Sequence, residues 1–281
     1  MIAIVTDSTC DVPKEMAAQR KIHVVPQHIV MGTKDYLDQV ELDTETFYRR
    51  LPTEPTLPKT AQVTPKEFIE QFEKAREAAN AEGVLVITIS SKTSGTYESA
   101  LQAAKMVDYP VRVVDSHNVT MGEGWQCIKA ADLRDQGMKL EQIGHYLDTN
   151  KDKFELLFTV ATLDYLHKGG RIGRAKHLVG SMLQIKPIMH MEDGAVHPIE
   201  SVRTRSKALK RLTEIAKEKL SKVKVKRVAV LHGAAQEEAD QIAADLQAAL
   251  PLDMLVRGMV CSAVGVHTGP GVIGIAIDMT A

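Results

Sequence analysis

VLVITISSKTSGT, residues 84–96, is the stretch on which the fold class turns. Val84–Ile89 is a β-branched apolar run and reads as a strand. Ser90 to Thr96 is rich in hydroxyls, and a helix follows to about Met106. The same arrangement recurs twice. Ile2–Val5 reads as a buried strand ending in Thr6-Asp7-Ser8-Thr9. Val111–Val114 ends in Asp115-Ser116-His117-Asn118 and leads into another helix. In an open parallel sheet such strand ends share one edge, and ligands bind there. The expected class is therefore α/β.

Outward from these strands, Asp11 is a plausible cap for a helix opened by Asp11-Val12-Pro13. Ile22–Val25 and His28–Met31 read as strands around Pro26, and Thr44 is expected to cap a helix through Leu51. Thr64, Pro65 and Glu67 form a capping box with proline at the first helical position. Gly137 breaks the helical pattern between Leu133 and Leu147. The charged segment Asn150–Lys153 is taken as a hinge between two domains, 1–152 and 153–281.

Beyond the hinge, Leu156–Ala161 reads as a strand. In LDYLHKGGRIGRAKHLVGSMLQIKPIM, residues 163–189, Gly169-Gly170 reads as a helix C-terminus. The chain should then reverse and open a second helix carrying Leu178, Val179, Met182 and Leu183. Arg171 lies in the reversal, where a tight glycine turn gives its guanidinium a defined aim toward a carboxylate or phosphate. Glu192-Asp193-Gly194 reads as a hairpin turn. Thr204–Lys222 reads as a basic helix burying Leu209, Leu212, Ile215, Ala216 and Leu220. Two further strands and a helix between them follow, and Val272–Ile277 is the last strand.

Several functions are disfavoured by composition. The chain has 281 residues, enough for two domains, and a formal net charge of −1, which offers no field for nucleic acid. Twelve Met stand against 5 Phe, 6 Tyr and 1 Trp. A ligand surface is then more aliphatic than aromatic, unlike a base-stacking platform. Cys10, Cys127 and Cys261 have no zinc-binding spacing and fit reduced thiols in a cytosol. The first residues lack a basic n-region and a long apolar run, so no signal peptide is expected. No segment approaches the roughly 20 apolar residues of a membrane span. Asp7, Asp11 and Asp115 lack the further ligands of a metal site.

Four constellations remain. Ser90–Thr96, with Ser94 and Gly95, puts neutral donors at a strand-to-helix junction suited to an anion, though plain helix capping by Ser94 or Ser91 explains part of it. Ser94, His267 and Asp115 could make a hydrolase triad, but G-x-S-x-G is absent. Gly269 to Gly274 fits G-x-G-x-x-G, yet it leads into a strand instead of a helix, so no nicotinamide cofactor is expected. The better reading is a tight turn fixing His267 at the mouth of the last strand. The basic run from Arg203 to Arg227 is either a wet face or a docking surface.

Taken together, IVTDSTCDVP, PKTAQVTPKEF, ISSKTSGTYESA, VVDSHNVTMGEG, LDYLHKGGRIG, IKPIM with EDG, and HTGPGVIGIAI make the chain resemble the DegV family of fatty-acid-binding proteins along its whole length. The resemblance implies two α/β domains. The N-terminal one holds a mostly parallel sheet flanked by helices, the C-terminal one a mixed sheet with helices, and a lipid tunnel runs between them. It implies a cytoplasmic carrier and not an enzyme. The carrier binds a long-chain fatty acid, with its carboxylate at the domain junction, and presents it to a fatty acid kinase. It needs no cofactor or metal, and a transient membrane contact is compatible with it. Residue by residue, Thr60, Ser94 and Gly95 fall on the carboxylate loops, and Arg171 and His267 near the head group. Arg203 is expected to face the kinase from a surface beside the glycine turn. The chain departs from the family's usual pattern at Ala61 and Val63 and before Arg203, at Glu200-Ser201. The alternative function is an esterase or thioesterase using Ser94 and His267.

Overall fold

Four parallel strands form the first sheet of the computed structural model, which describes residues 1–181 and 185–280. The N-terminal half comprises β1 (Ile2–Asp7), α1 (Lys14–Gln19), β2 (Ile22–Val25), β3 (His28–Met31), β4 (Lys34–Leu37), α2 (Thr44–Arg50) and β5 (Lys59–Ala61). It continues with α3 (Pro65–Ala79), β6 (Gly83–Thr88), α4 (Thr96–Ala104), β7 (Val111–Asp115), α5 (Met121–Asp135) and α6 (Leu140–Thr149). The sheet order is β2-β1-β6-β7. Helices cover both faces, which is why these strands are unbroken apolar runs. Ala3, Val5, Val84 and Val86 pack on Phe68 and Phe72 of α3. Ile4, Leu85 and Ile87 point the other way, onto Met121, Trp125 and Ile128 of α5. The capping box forms as expected: Thr64 and Glu67 bond each other's backbone N–H groups.

The C-terminal half comprises β8 (Phe154–Thr159), α7 (Asp164–Lys168), β9 (Lys186–Glu192), β10 (Ala195–Val202), α8 (Arg205–Leu220), β11 (Arg227–His232), α9 (Gln236–Ala249), β12 (Met254–Met259), α10 (Ser262–Thr268) and β13 (Ile273–Asp278). Its six strands run β10-β9-β8-β13-β11-β12, with β11 and β12 parallel and the other pairs antiparallel. Asp193 and Gly194 both take positive φ in the β9–β10 hairpin, as a tight turn of this hand requires.

Five local expectations change. Asp43, not Thr44, caps α2, because its carboxylate receives the Thr46 N–H. Asp11 does not cap α1; it sits in the left-handed region and accepts the Cys261 N–H at 3.0 Å. A third sheet, β4-β3-β5, was not expected beyond β3. Its outer strands are short and largely exposed, so no apolar alternation marks them. In place of a long second helix after Arg171 there is a 3-10 stretch, Gly173–Ser181, while Met182 and Leu183 lie outside the described residues. Finally, α10 was not foreseen. Ser, Val, Gly, His and Thr are weak helix formers, and here tertiary contacts override propensity.

The sheets separate at the 3-10 turn Lys151–Lys153, but the core does not. Trp125 is fully buried and donates its indole N–H to the Ala276 carbonyl at 3.1 Å. One apolar cluster includes Ile4, Leu85 and Trp125 together with Leu156, Phe158 and Ala276.

Below α10 lies a group of buried acids. Asp38 accepts the Ser8 hydroxyl at 2.7 Å, and burial raises its pKa to about 6. Burial also raises Asp7, Asp11 and Glu123. A carboxyl whose folded pKa exceeds its unfolded one favours folding when protonated. Its contribution is full below the unfolded value and is lost as pH rises through about 6. Asp38→Asn, still able to accept from Ser8, should therefore flatten the fall in stability between pH 4 and 7. Urea titrations across that range check this; an unchanged slope would refute it.

Candidate functional site

Between the two halves lies a cavity of about 100 Å³ that opens to the surface. Its walls are mostly aliphatic: Leu156 and Phe158 of β8, Val264 of α10, Met191, Val119 and Ile89. Thr60, Thr93, Ser94, Arg171 and His267 line it as well, so polar groups are gathered from four separate segments.

The Ser94 hydroxyl lies 2.9 Å from that of Thr96, which receives a bond from Gln27 Nε2 at 2.9 Å. Gln27 is itself held through its N–H by Ser8. This buried chain orients Ser94. No side chain caps α4, whose N-cap is Gly95. Ser90 instead donates to the Gly194 carbonyl at 2.7 Å, pinning the loop to the β9–β10 hairpin.

Thr60, on β5, lies 3.0 Å from Nε2 of His267, on α10. Burial, and then the Arg171 guanidinium, lower the His267 pKa to about 4. The imidazole is therefore neutral near pH 7. Its Nδ1 faces Gly169 and is buried without a partner among the described residues. Any larger residue at 169 would strike that ring.

Arg171 follows Gly170, whose φ is +72°. Its N–H closes back on the Leu166 carbonyl, as a helix end should. Its Nε donates to the Thr93 carbonyl at 3.1 Å and Nη1 to the Gly169 carbonyl at 2.8 Å. Two backbone carbonyls thus aim an otherwise exposed guanidinium, and Nη2 has no partner among the described residues.

Chemically, this mouth offers hydroxyl donors, one fixed cation and a neutral imidazole. A carboxylate buried without such partners would be strongly disfavoured. The hydrolase alternative does not assemble: His267 pairs with Thr60, not Ser94, while Asp115 accepts the N–H groups of Ser91 and His117. Among the described residues no group of three or more His, Cys, Asp or Glu side chains is arranged to hold a metal. No helix among them is long and apolar enough to cross a membrane.

One expected position differs. Gly95 does not line the cavity; the Gln62 side chain crosses it so closely that no Cβ fits. Arg203 is exposed and directly follows β10, whose Val196 lies against Gly173. On the basic helix α8, Arg205 pairs with Glu238, Arg211 with Glu200, Glu214 and Glu218, and Lys219 with Glu155. Gln27 was missed; it stands in no pattern that distinguishes it from an ordinary loop residue.

The fold and site define a two-lobed α/β protein with an apolar channel and a polar mouth. A model of the DegV family, described as an uncharacterised protein family, matches residues 1–279. The chain is 36% identical over 276 residues to protein DegV of Bacillus subtilis, with 98% of each covered. The chain belongs to the DegV family. Similar solved structures include a fatty-acid-binding DegV family protein from Thermus thermophilus (TM-score 0.92, 28% identity, 99% of each chain). Others are DegV, a fatty-acid-binding protein from Bacillus subtilis (TM-score 0.90, 35%, 99% of each), and a stearic-acid-binding protein from Eubacterium ventriosum (TM-score 0.89, 28%, 99% of this chain and 98% of that one).

Proposed function

We propose that the chain binds a long-chain fatty acid in the channel, carboxylate at Thr60, Ser94 and Arg171, and presents it to a fatty acid kinase without catalysing a step itself. The two lobes, 1–152 and 153–281, clamp the acyl chain between them. The observation that carries this reading is an aliphatic cavity that ends in hydroxyls and one aimed guanidinium. The fatty-acid-binding relatives of the same fold support it. Each buried methylene contributes about 0.8 kcal/mol, so the tail supplies most of the affinity. A cytoplasmic location suits its three free, buried thiols.

Native mass spectrometry of the purified protein tests binding. Oleate should be retained, and oleyl alcohol, which lacks the charge that Arg171 and the hydroxyls recognise, should be lost at least about tenfold more readily. Equal retention of acid and alcohol would move the head group away from Arg171.

Arg203 is the kinase-facing residue in this reading. Arg203→Ala should leave oleate occupancy and Tm unchanged. Kinase-dependent ATP consumption should fall, and wild-type transfer should weaken with salt, as rim charges mainly steer association. Normal transfer by the variant would sink the docking role; lost occupancy would place Arg203 in the binding site.

A further inference from the structure

Gly274 is the third glycine of the run from Gly269, and the turn does not account for it. It lies inside β13, between Ile273 and Ile275, where glycine weakens a strand. A glycine in a strand interior usually marks a bulge, a left-handed backbone or a close approach of another group. The register is regular, with Gly274 opposite Phe158 on β8 and Leu231 on β11, so there is no bulge. Its φ is not positive. A Cβ built there would meet nothing nearer than Leu156 Cδ1 at 3.6 Å and the Leu157 carbonyl oxygen at 3.9 Å, ordinary contacts. Every other buried glycine has a positive φ or would place a Cβ within 3.0 Å of a neighbour.

What Gly274 does face is the cavity. It is the one glycine in the wall, on the same side of the sheet as Leu156 and Phe158, while Ile273, Ile275 and Ile277 point into the opposite core. The space a side chain would fill is channel space. We propose that Gly274 sets the length of acyl chain the channel accepts, its bare backbone forming the floor over which the tail passes. This rests on the fatty-acid reading above.

The test is a graded series, Gly274→Ala, Gly274→Val and Gly274→Leu, titrated with decanoate, myristate and stearate. Each methylene shut out lowers affinity about fourfold, so a leucine excluding three should cut stearate relative to decanoate by roughly sixtyfold. Valine should fall between, and alanine should shift the ratio least while holding or raising Tm. A length profile identical to wild type in all variants overturns the proposal. So does an equal loss of all three acids in a variant with wild-type Tm. If the leucine variant does not fold, the alanine and valine variants are judged by the same two criteria. Wild-type protein that takes up none of the acids would instead overturn the fatty-acid reading itself.

Discussion

Replacing Thr60 with Val and Ser94 with Ala together is expected to weaken oleate binding by about a hundredfold or more. Each removes a hydroxyl donor from a carboxylate, a charge-assisted bond of about 1.5–3 kcal/mol, and 1.4 kcal/mol is tenfold. The two sit on one head group, so their effects need not add. The fold should survive. Thr60 and Ser94 are only partly buried, valine keeps the shape of threonine, and the neutral His267 loses one uncharged bond. Direct titration of each single variant and the pair, alongside calorimetry, decides it. If both singles bind oleate as tightly as wild type, the head group is elsewhere.

Trp125→Ala should be the most destabilising single change considered. It empties a fully buried site in the core common to both lobes and leaves the Ala276 carbonyl without its donor. Large-to-small aromatic changes of this kind cost about 3–5 kcal/mol. For a chain of this size that lowers Tm by about 10 °C. Because α5 packs under β8 and β13 as well as under β1 and β6, the loss should appear as one shifted transition. Trp125 is the sole tryptophan, so scanning calorimetry and not intrinsic fluorescence is the measurement. A drop under about 3 °C would mean that the two lobes do not rely on this contact.

Much of the frame was legible because its signals are local. The β-branched runs of β1 and β6, the Thr64 capping box, the Asp193-Gly194 turn and the Gly170 helix end each depend on neighbours within a few residues. Arg171 could be picked out for the same reason: the glycine that turns the chain stands beside it. The resemblance carried Thr60, Ser94 and His267 forward as a group, but not their geometry.

Helix α10 shows the limit of local reasoning. Ser262-Ala-Val-Gly-Val-His-Thr268 is a poor helix by propensity, and its start is met by Asp11, from the opposite end of the chain. The neutral state of His267 likewise follows from burial and the Arg171 charge, neither visible at residue 267. Gln27 holds Thr96 across a sequence gap that no periodicity spans. By itself the sequence determined the class of fold, the strands and caps, and which loops carry donors, since these obey backbone geometry and short-range hydrogen bonding. Only the tertiary structure decided that those donors meet at one mouth, that Gly95 makes room for Gln62 and not a ligand, and that Gly274 faces open channel. Those outcomes depend on desolvation and close packing between segments far apart in the chain.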